Sequence, residues 1–156
     1  VYKRQLHVRE EQTAGTNGGT FTSGSFVKRT LNTTLTNQIS EASISSSVIT
    51  LPAGRYYIEA RAPGVGVSGF VTRFKARLRN TTDNADVLIG ASVSVASSGA
   101  TGSVDATVSG QFTLAAQKTL EFQHRTENTQ ADTGLGEPAN LGAVEVYAEV
   151  KIWKLD

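Results

Sequence analysis

The chain has 156 residues, no cysteine, no methionine and a formal net charge of +1, from 15 Lys and Arg against 14 Asp and Glu. That length suits one domain with a sizeable core, and the absence of a long apolar run excludes a transmembrane helix. The near-neutral charge gives no reason to expect nucleic acid. Without cysteine there is no disulfide framework and no cysteine-ligated zinc. The 19 Thr, 14 Ser and 15 Gly against 3 Pro favour short strands joined by many turns.

The N-terminal segment alternates between polar and apolar residues and carries charge where a signal peptide would be apolar. Because the chain does not begin with Met, we expect a domain cut from a longer protein. Residues 1–20 are predicted to be a neck segment and the first strand, and residues 21–156 a single head domain.

Alternation of apolar and polar residues, which is typical of strands with one buried face, continues along the chain. Taken in order, the predicted strands contain Leu6 and Val8, Phe26 to Leu31, Tyr56 to Ala60, Gly69 to Asn80, Val87 to Val95, Val104 to Leu114, Leu120 and Phe122, and Val144 to Ile152. Turn signals rich in Gly, Pro, Asn and Ser separate them. They lie at residues 16–19, 52–54, 63–64, 81–84, 97–100 and 128–142.

The strand from Gly69 to Asn80 shows the pattern most clearly. Its even positions are predicted to face the core: Phe70, Thr72, Phe74, Ala76 and Leu78. Its odd positions put a row of basic residues on the other face: Arg73, Lys75, Arg77 and Arg79. Strands of this kind in two layers predict an all-β antiparallel jelly-roll sandwich.

The C-terminal strand places large aromatic residues on the face opposite its apolar residues. If Val144, Val146, Ala148, Val150 and Ile152 fill the core, then Tyr147 and Trp153 point out of the domain, with Tyr57 on a neighbouring strand. Outward aromatics of this size indicate a surface that another subunit covers. We therefore predict a subunit interface at Tyr57, Tyr147 and Trp153.

Two motifs have a functional and a structural interpretation. Residues 64–69 match G-x-G-x-x-G, but a strand and not a helix is predicted to follow, so we interpret them as a turn. His7 and His124 have no metal-ligand spacing, and no G-x-S-x-G sequence occurs. Both histidines are expected to be partly exposed strand residues, and we predict no catalytic residue and no metal site.

The basic row and the turn that follows it are candidate ligand-binding features. Arg73, Lys75 and Arg77 would suit an acidic or phosphorylated glycan, although pairing with carboxylates such as Glu121 on a neighbouring strand is favoured. Asp83, Asn84 and Asp86 supply oxygen ligands, but turn formation explains them without a metal ion.

The longest polar segment is the predicted loop at residues 128–142. It is rich in Asn, Thr, Gln, Asp and Gly, which suit hydrogen bonds to sugar hydroxyls. Asn128, Gln130 and Asp132 are its candidate binding residues, and the turn with Asp83, Asn84 and Asp86 is the second candidate site.

Ordered blocks from about Thr16 onwards carry a family resemblance. They are Gly19 to Ser25, Arg29 to Thr33, Ile49 to Tyr56, Ala76 to Asp83, Leu88 to Gly90, Gly110 to Leu114, Leu120 to His124 and Val144 to Lys154. Together they resemble a bacteriophage tail-fibre C-terminal domain. The resemblance implies a trimeric jelly roll similar to tumour-necrosis-factor and complement globular heads, with the last strand facing the threefold axis. It supplies no catalytic residue and no cofactor.

The resulting hypothesis is a non-enzymatic receptor-binding head at the tip of a virion tail fibre. Its expected partners are two further copies of the chain, the rest of the fibre shaft and a bacterial surface glycan or protein, with no nucleic acid and no membrane insertion. The alternatives are a structural trimerisation cap without its own receptor and a secreted lectin-like adhesin. An enzyme that degrades host polysaccharide is least favoured, because no carboxylate pair has a distinctive setting.

Overall fold

The computed structural model describes residues 4–155, which form eleven strands and no helix. The strands are β1 (Arg4–Gln12), β2 (Val27–Lys28), β3 (Thr33–Asn37), β4 (Ser43–Ser45), β5 (Val48–Leu51), β6 (Gly54–Val65), β7 (Val71–Asn80), β8 (Ala85–Ala96), β9 (Ser103–Leu114), β10 (Lys118–Thr126) and β11 (Glu145–Lys154). No part of residues 4–155 is therefore a helix that could cross a membrane.

The strands form two antiparallel sheets. One has the order β3-β1-β11-β6-β9 and the other the order β4-β5-β10-β7-β8, with β2 added beside β10. The first and last strands are neighbours, since Leu6 lies opposite Ile152 and Val8 opposite Val150. The predicted all-β jelly-roll sandwich is confirmed.

Alternate side chains from both sheets fill the space between the layers. Fully buried examples are Leu6, Val8, Ile58, Leu78, Leu120, Phe122, Val150 and Ile152. Each such side chain contributes about 1.5–3 kcal/mol when it leaves water. The period of two seen in the sequence thus selects the buried face of most long strands; β8 is the exception, since none of its residues is buried and Ile89 is 60% exposed.

Several local expectations are wrong. Phe70 and Val144 were expected in the core, but both lie just outside strands and are 60% and 53% exposed. Pro63 was expected in a turn, but it lies inside β6, opposite Asp105 of β9. The pairing of β6 with β11 ends at Arg61, so at Pro63 the strand is paired with β9 on one side only. A residue without an N–H is tolerated there because one side of the strand needs no donor.

Three short strands, β3 to β5, had no counterpart in the prediction, and Phe26 to Leu31 yields only the two residues of β2. Residues 64–69 end β6 and lead by a turn into β7, so no helix follows the G-x-G-x-x-G sequence. β1 lies inside the sheet with Leu6 and Val8 fully buried. Residues 1–3 of the expected neck segment lie outside the described residues.

His124 was expected to be partly exposed, and this is wrong because its side chain points into the sandwich. It is fully buried, with its ring 4.6 Å from that of Phe21 and 5.7 Å from that of Phe74. Neither ring nitrogen has a hydrogen-bond partner within residues 4–155. Burial, together with the nearby charge of Arg29, lowers the pKa of His124 to about 3, so the histidine is neutral in the folded protein.

We expect His124 to make the protein less stable in mild acid. The folded pKa lies below the unfolded value of about 6.5, so the unfolded chain takes up the proton first and stability falls as pH drops from about 6.5 towards 3. Between pH 7.5 and 4.5 the free energy of unfolding should fall by roughly 2–3 kcal/mol from this residue. His124→Phe should remove that part of the fall in urea unfolding measurements. An unchanged pH dependence in His124→Phe would show that other groups cause it.

Candidate functional site

The outer face of the five-stranded sheet carries an aromatic pair. Tyr57 of β6 lies opposite Trp153 of β11, and their ring centroids are 6.1 Å apart at an angle of 41°. An open concavity of about 340 Å³ borders the pair, with Gln111 and Leu155 at its edge. Both rings point outward, as the sequence predicted.

The middle of the same face is organised around Glu149. Its carboxylate lies 3.0 Å from Nε2 of His7, 3.1 Å from Nζ of Lys151 and 3.3 Å from the Arg61 guanidinium. Arg61 also contacts Asp105, at 3.4 Å. Partial burial alone would raise the pKa of Glu149, but the hydrogen bonds from Lys151 and His7 and the charges around it hold that pKa below its usual range. The face is therefore a charged network beside an aromatic pair.

Tyr147 was expected on this exposed face, and its exposure is wrong. It is only 3% exposed, because β11 has one more residue than β1 between Val146 and Glu149, and this bulge breaks the alternation and turns Tyr147 away from the outer face. A loop segment also lies so close to its ring that a Cβ added at Gly136 would overlap the ring. Its hydroxyl donates a 2.6 Å hydrogen bond to the carbonyl of Thr16. Burial, with carboxylates such as Glu145 nearby, raises the pKa of Tyr147 to about 12. Tyr147 thus fastens the loops to β11 within one chain.

The basic row lies on the outer face of the other sheet, and most of it is paired, as favoured. Arg73 forms a salt bridge with Glu127 at 2.9 Å. Asp86 forms salt bridges with Arg77 at 3.0 Å and with Arg79 at 2.8 Å. The expected partner Glu121 instead accepts a 2.7 Å hydrogen bond from Gln123. The carboxylates thus come from Asp86, at the start of β8, and from Glu127, just beyond β10.

The acidic turn between β7 and β8 is built from its own side chains. The Asp83 N–H donates to the side-chain oxygen of Asn80 at 3.0 Å, and Asn84 adopts a positive φ of 53°. The hydrogen bond from Lys118 is the main reason why the pKa of Asp83 lies below its usual range. Asp86 is engaged by arginines, and residues 4–155 contain no cluster of three or more His, Asp or Glu suited to a metal ion.

The predicted loop at residues 128–142 is fastened to the segment before β2. Gln130 exchanges backbone hydrogen bonds with Phe21, at 2.9 and 3.1 Å. The Gly19 N–H donates to the Asp132 carbonyl at 2.8 Å, and the Leu135 N–H donates to the Gly19 carbonyl at 3.0 Å. Asp132 is exposed and has a φ of 59°. The loop backbone is therefore fixed, and of the three candidate binding residues Asp132 is exposed, whereas Asn128 and Gln130 are half-buried. The Asn128 side chain donates a 3.4 Å hydrogen bond to Oγ1 of Thr72.

Arg29, which was not among the predicted site residues, anchors this loop through its buried side chain. Its side chain is 1% exposed and lies 3.3 Å from the carboxylate of Glu10, which is also buried. It donates to the carbonyl of Leu135 at 2.6 Å and to that of Pro63 at 3.3 Å. Burial lowers the pKa of Arg29 to about 10, against the opposing charge of Glu10. Nothing in the local sequence distinguished this arginine from the exposed ones.

The two candidate loops lie at opposite ends of the sandwich. Asp83 follows β7 beside the beginning of β10, whereas Asn128 follows the end of β10. Strands rise about 3.4 Å per residue, so the length of β10 separates the loops by roughly 25 Å. Arg73 and Lys75 lie towards Asn128, and Arg77 lies towards Asp86. The candidate residues therefore form two separate surfaces.

Comparison with solved structures agrees with the jelly-roll fold. Murine APRIL at pH 5.0 is similar with a TM-score of 0.59 and 10% identity, over 99% of this chain and 100% of that chain. The globular domain of zebrafish complement 1qA protein is similar with a TM-score of 0.55 and 15% identity, over 99% of this chain and 98% of that chain. No protein-family model and no curated protein matches the sequence. At these identities the likeness establishes the fold.

The buried pair of Arg29 and Glu10 should be important for stability. Glu10→Gln leaves the arginine charge buried without its counter-ion, so the free energy of unfolding should fall by roughly 3 kcal/mol. Glu11→Gln is the matched control, since Glu11 pairs with Arg9 at the surface and should lose less than about 1 kcal/mol. Equal losses for the two variants in urea unfolding would contradict this role of the buried pair.

Proposed function

We propose that this domain is a non-enzymatic receptor-binding head at the tip of a bacteriophage tail fibre. It acts as a homotrimer and attaches the virion to a glycan or protein on the bacterial surface. The observation that carries the proposal is the polar loop at residues 128–142, which is held at one end of a rigid sandwich by backbone hydrogen bonds. The tail-fibre assignment rests on the resemblance of ordered sequence blocks, and the fold likeness supports the jelly roll that those blocks imply.

The outer face of the five-stranded sheet supports assembly into trimers. It carries the aromatic pair of Tyr57 and Trp153 next to the charged network around Glu149. Aromatic residues in the centre of an interface usually contribute most of its binding energy. Three identical heterologous contacts close a ring, and a face that lies at the threefold axis meets its own copies there.

The fixed loop supports receptor binding. A loop whose backbone is already ordered loses little conformational freedom when a ligand binds. Its polar side chains can change without harm to the core, which lets one fold serve different receptors. Three weak sites on one trimer then act together through multivalency.

The structural trimerisation cap is the second candidate, and the same aromatic face favours it. That function needs the interface but no ligand site. Binding of the isolated domain to bacteria separates the two.

Trimer formation is tested by mass and by substitution of the aromatic pair. Light scattering at micromolar concentration should give three times the 16.5 kDa of one chain. Trp153→Ala should shift the protein towards monomer, because the indole lies in the proposed contact. Phe26→Ala is the control, since Phe26 lies against Arg77 on the opposite sheet and should leave the mass unchanged. A monomeric parent protein contradicts the trimer.

Receptor binding is tested by two loop variants on a panel of bacterial strains. The first replaces Asn128 and Gln130 by Ala and Asp132 by Gly, since glycine accepts the positive φ of Asp132 without strain. The second replaces Asp83 and Asp86 by Ala and Asn84 by Gly for the same reason.

We expect the labelled parent protein and the second variant to stain host cells, and the first variant to lose staining while remaining a trimer. The reverse result would place the site at the acidic turn. A parent protein that stains no strain would leave the structural cap as the function.

A further inference from the structure

The outward side chains of β7 and β10 meet in register, and all but one of the contacts are complementary or neutral. The directly opposed pairs are Arg79 with Glu121, Arg77 with Gln123, and Lys75 with Arg125. Arg73 reaches Glu127, just beyond the end of β10. Only Lys75 thus faces a like charge across these two strands.

This pair of cations has no carboxylate partner within residues 4–155. Lys75 donates a 3.1 Å hydrogen bond to Oγ of Ser92 on β8, and the Arg125 guanidinium lies 5.9 Å from the centre of the Phe26 ring. Like charges directly opposite each other destabilise a sheet. The other basic residues of β7, which are Arg73, Arg77 and Arg79, have carboxylate partners, so along this strand the missing counter-charge is specific to Lys75.

The two cations line an open groove on the outer face of the six-stranded sheet. Its volume is about 360 Å³, which lies in the range of roughly 300–1,000 Å³ typical of small-ligand sites. The lining residues are Arg73, Phe74, Lys75, Ser92, Arg125, Thr126 and Glu127. The groove is on the sheet opposite the Tyr57 and Trp153 face, so assembly through that face leaves it open.

We propose that this groove binds an anionic substituent of a polysaccharide: a carboxylate, sulfate or phosphate group. An arginine can bind such a group with two parallel hydrogen bonds. The lysine ammonium adds a second charge, and Ser92 a hydroxyl donor. The inference rests on the proposed function for the natural source of the polysaccharide, which is the bacterial surface.

Defined polymers test the binding without bacteria. The parent protein is measured on surfaces coated with dextran sulfate, carboxymethyl dextran and uncharged dextran. Arg125→Glu gives Lys75 an opposite charge across the strands, so it should weaken binding to the charged polymers about tenfold or more, the effect of losing a charged hydrogen bond. The same variant should unfold at a higher temperature than the parent, because like charges no longer lie opposite each other. That thermal transition also shows that the variant is folded.

Lys118→Glu is the control for total charge. Lys118 lies on the same strand, seven residues and about 23 Å from Arg125, and its replacement should leave polymer binding unchanged. Equal binding by the parent and Arg125→Glu, equal loss in both variants, or equal binding to uncharged dextran would overturn the proposal. Tighter binding to a single-stranded DNA than to either charged polymer would overturn the assignment to a polysaccharide.

Binding to the charged polymers with no staining of any bacterium would support the groove and count against the receptor-binding function. The two proposals therefore fail separately.

Discussion

Arg29 connects both sheets and the polar loop through one residue. Its backbone N–H bonds to Phe122 in the six-stranded sheet, while its side chain reaches Glu10 and Pro63 in the five-stranded sheet and Leu135 in the polar loop. Burying a charge is unfavourable unless a counter-charge and hydrogen bonds compensate for it. The position of the loop, the spacing of the sheets and the burial of Glu10 therefore depend on one another.

This constraint explains why the loop at residues 128–142 can be long and still ordered. Arg29 and Tyr147 hold it at Leu135 and Gly136, and the segment around Gly19 pairs with its backbone. The remaining outer surfaces then have different characters. One sheet presents an aromatic pair and a network around Glu149, and the other presents paired arginines with a single uncompensated pair of cations. Assembly and ligand binding are assigned to different faces for that reason.

The sequence predicted the fold well, because alternation in long strands reports directly which side is buried. β7, from Val71 to Asn80, and residues 148–154 of β11 follow it closely, whereas residues 145–147 do not. Strands β3 and β4 were missed, because short Ser- and Thr-rich segments carry little pattern, and β5 was missed because its apolar alternation spans only four residues. The burial of Tyr147 follows from one extra residue of β11 opposite β1, which breaks the alternation and which the sequence pattern does not show. The burial of His124 and Arg29 depends on contacts distant in sequence, and so does the opposition of Lys75 and Arg125, which follows from strand register.

The central claim is that one outer face is covered by assembly and the other is free, and the absence of cysteine allows a direct test. Ser109 on β9 and Ser94 on β8 are both exposed in the single chain, one on the margin of the five-stranded face and one on the six-stranded face. The measurement is the rate at which a thiol reagent modifies Ser109→Cys and Ser94→Cys in the native protein. We predict slow modification at position 109 and fast modification at position 94, with equal rates after unfolding. Equal fast rates in the native protein would contradict it.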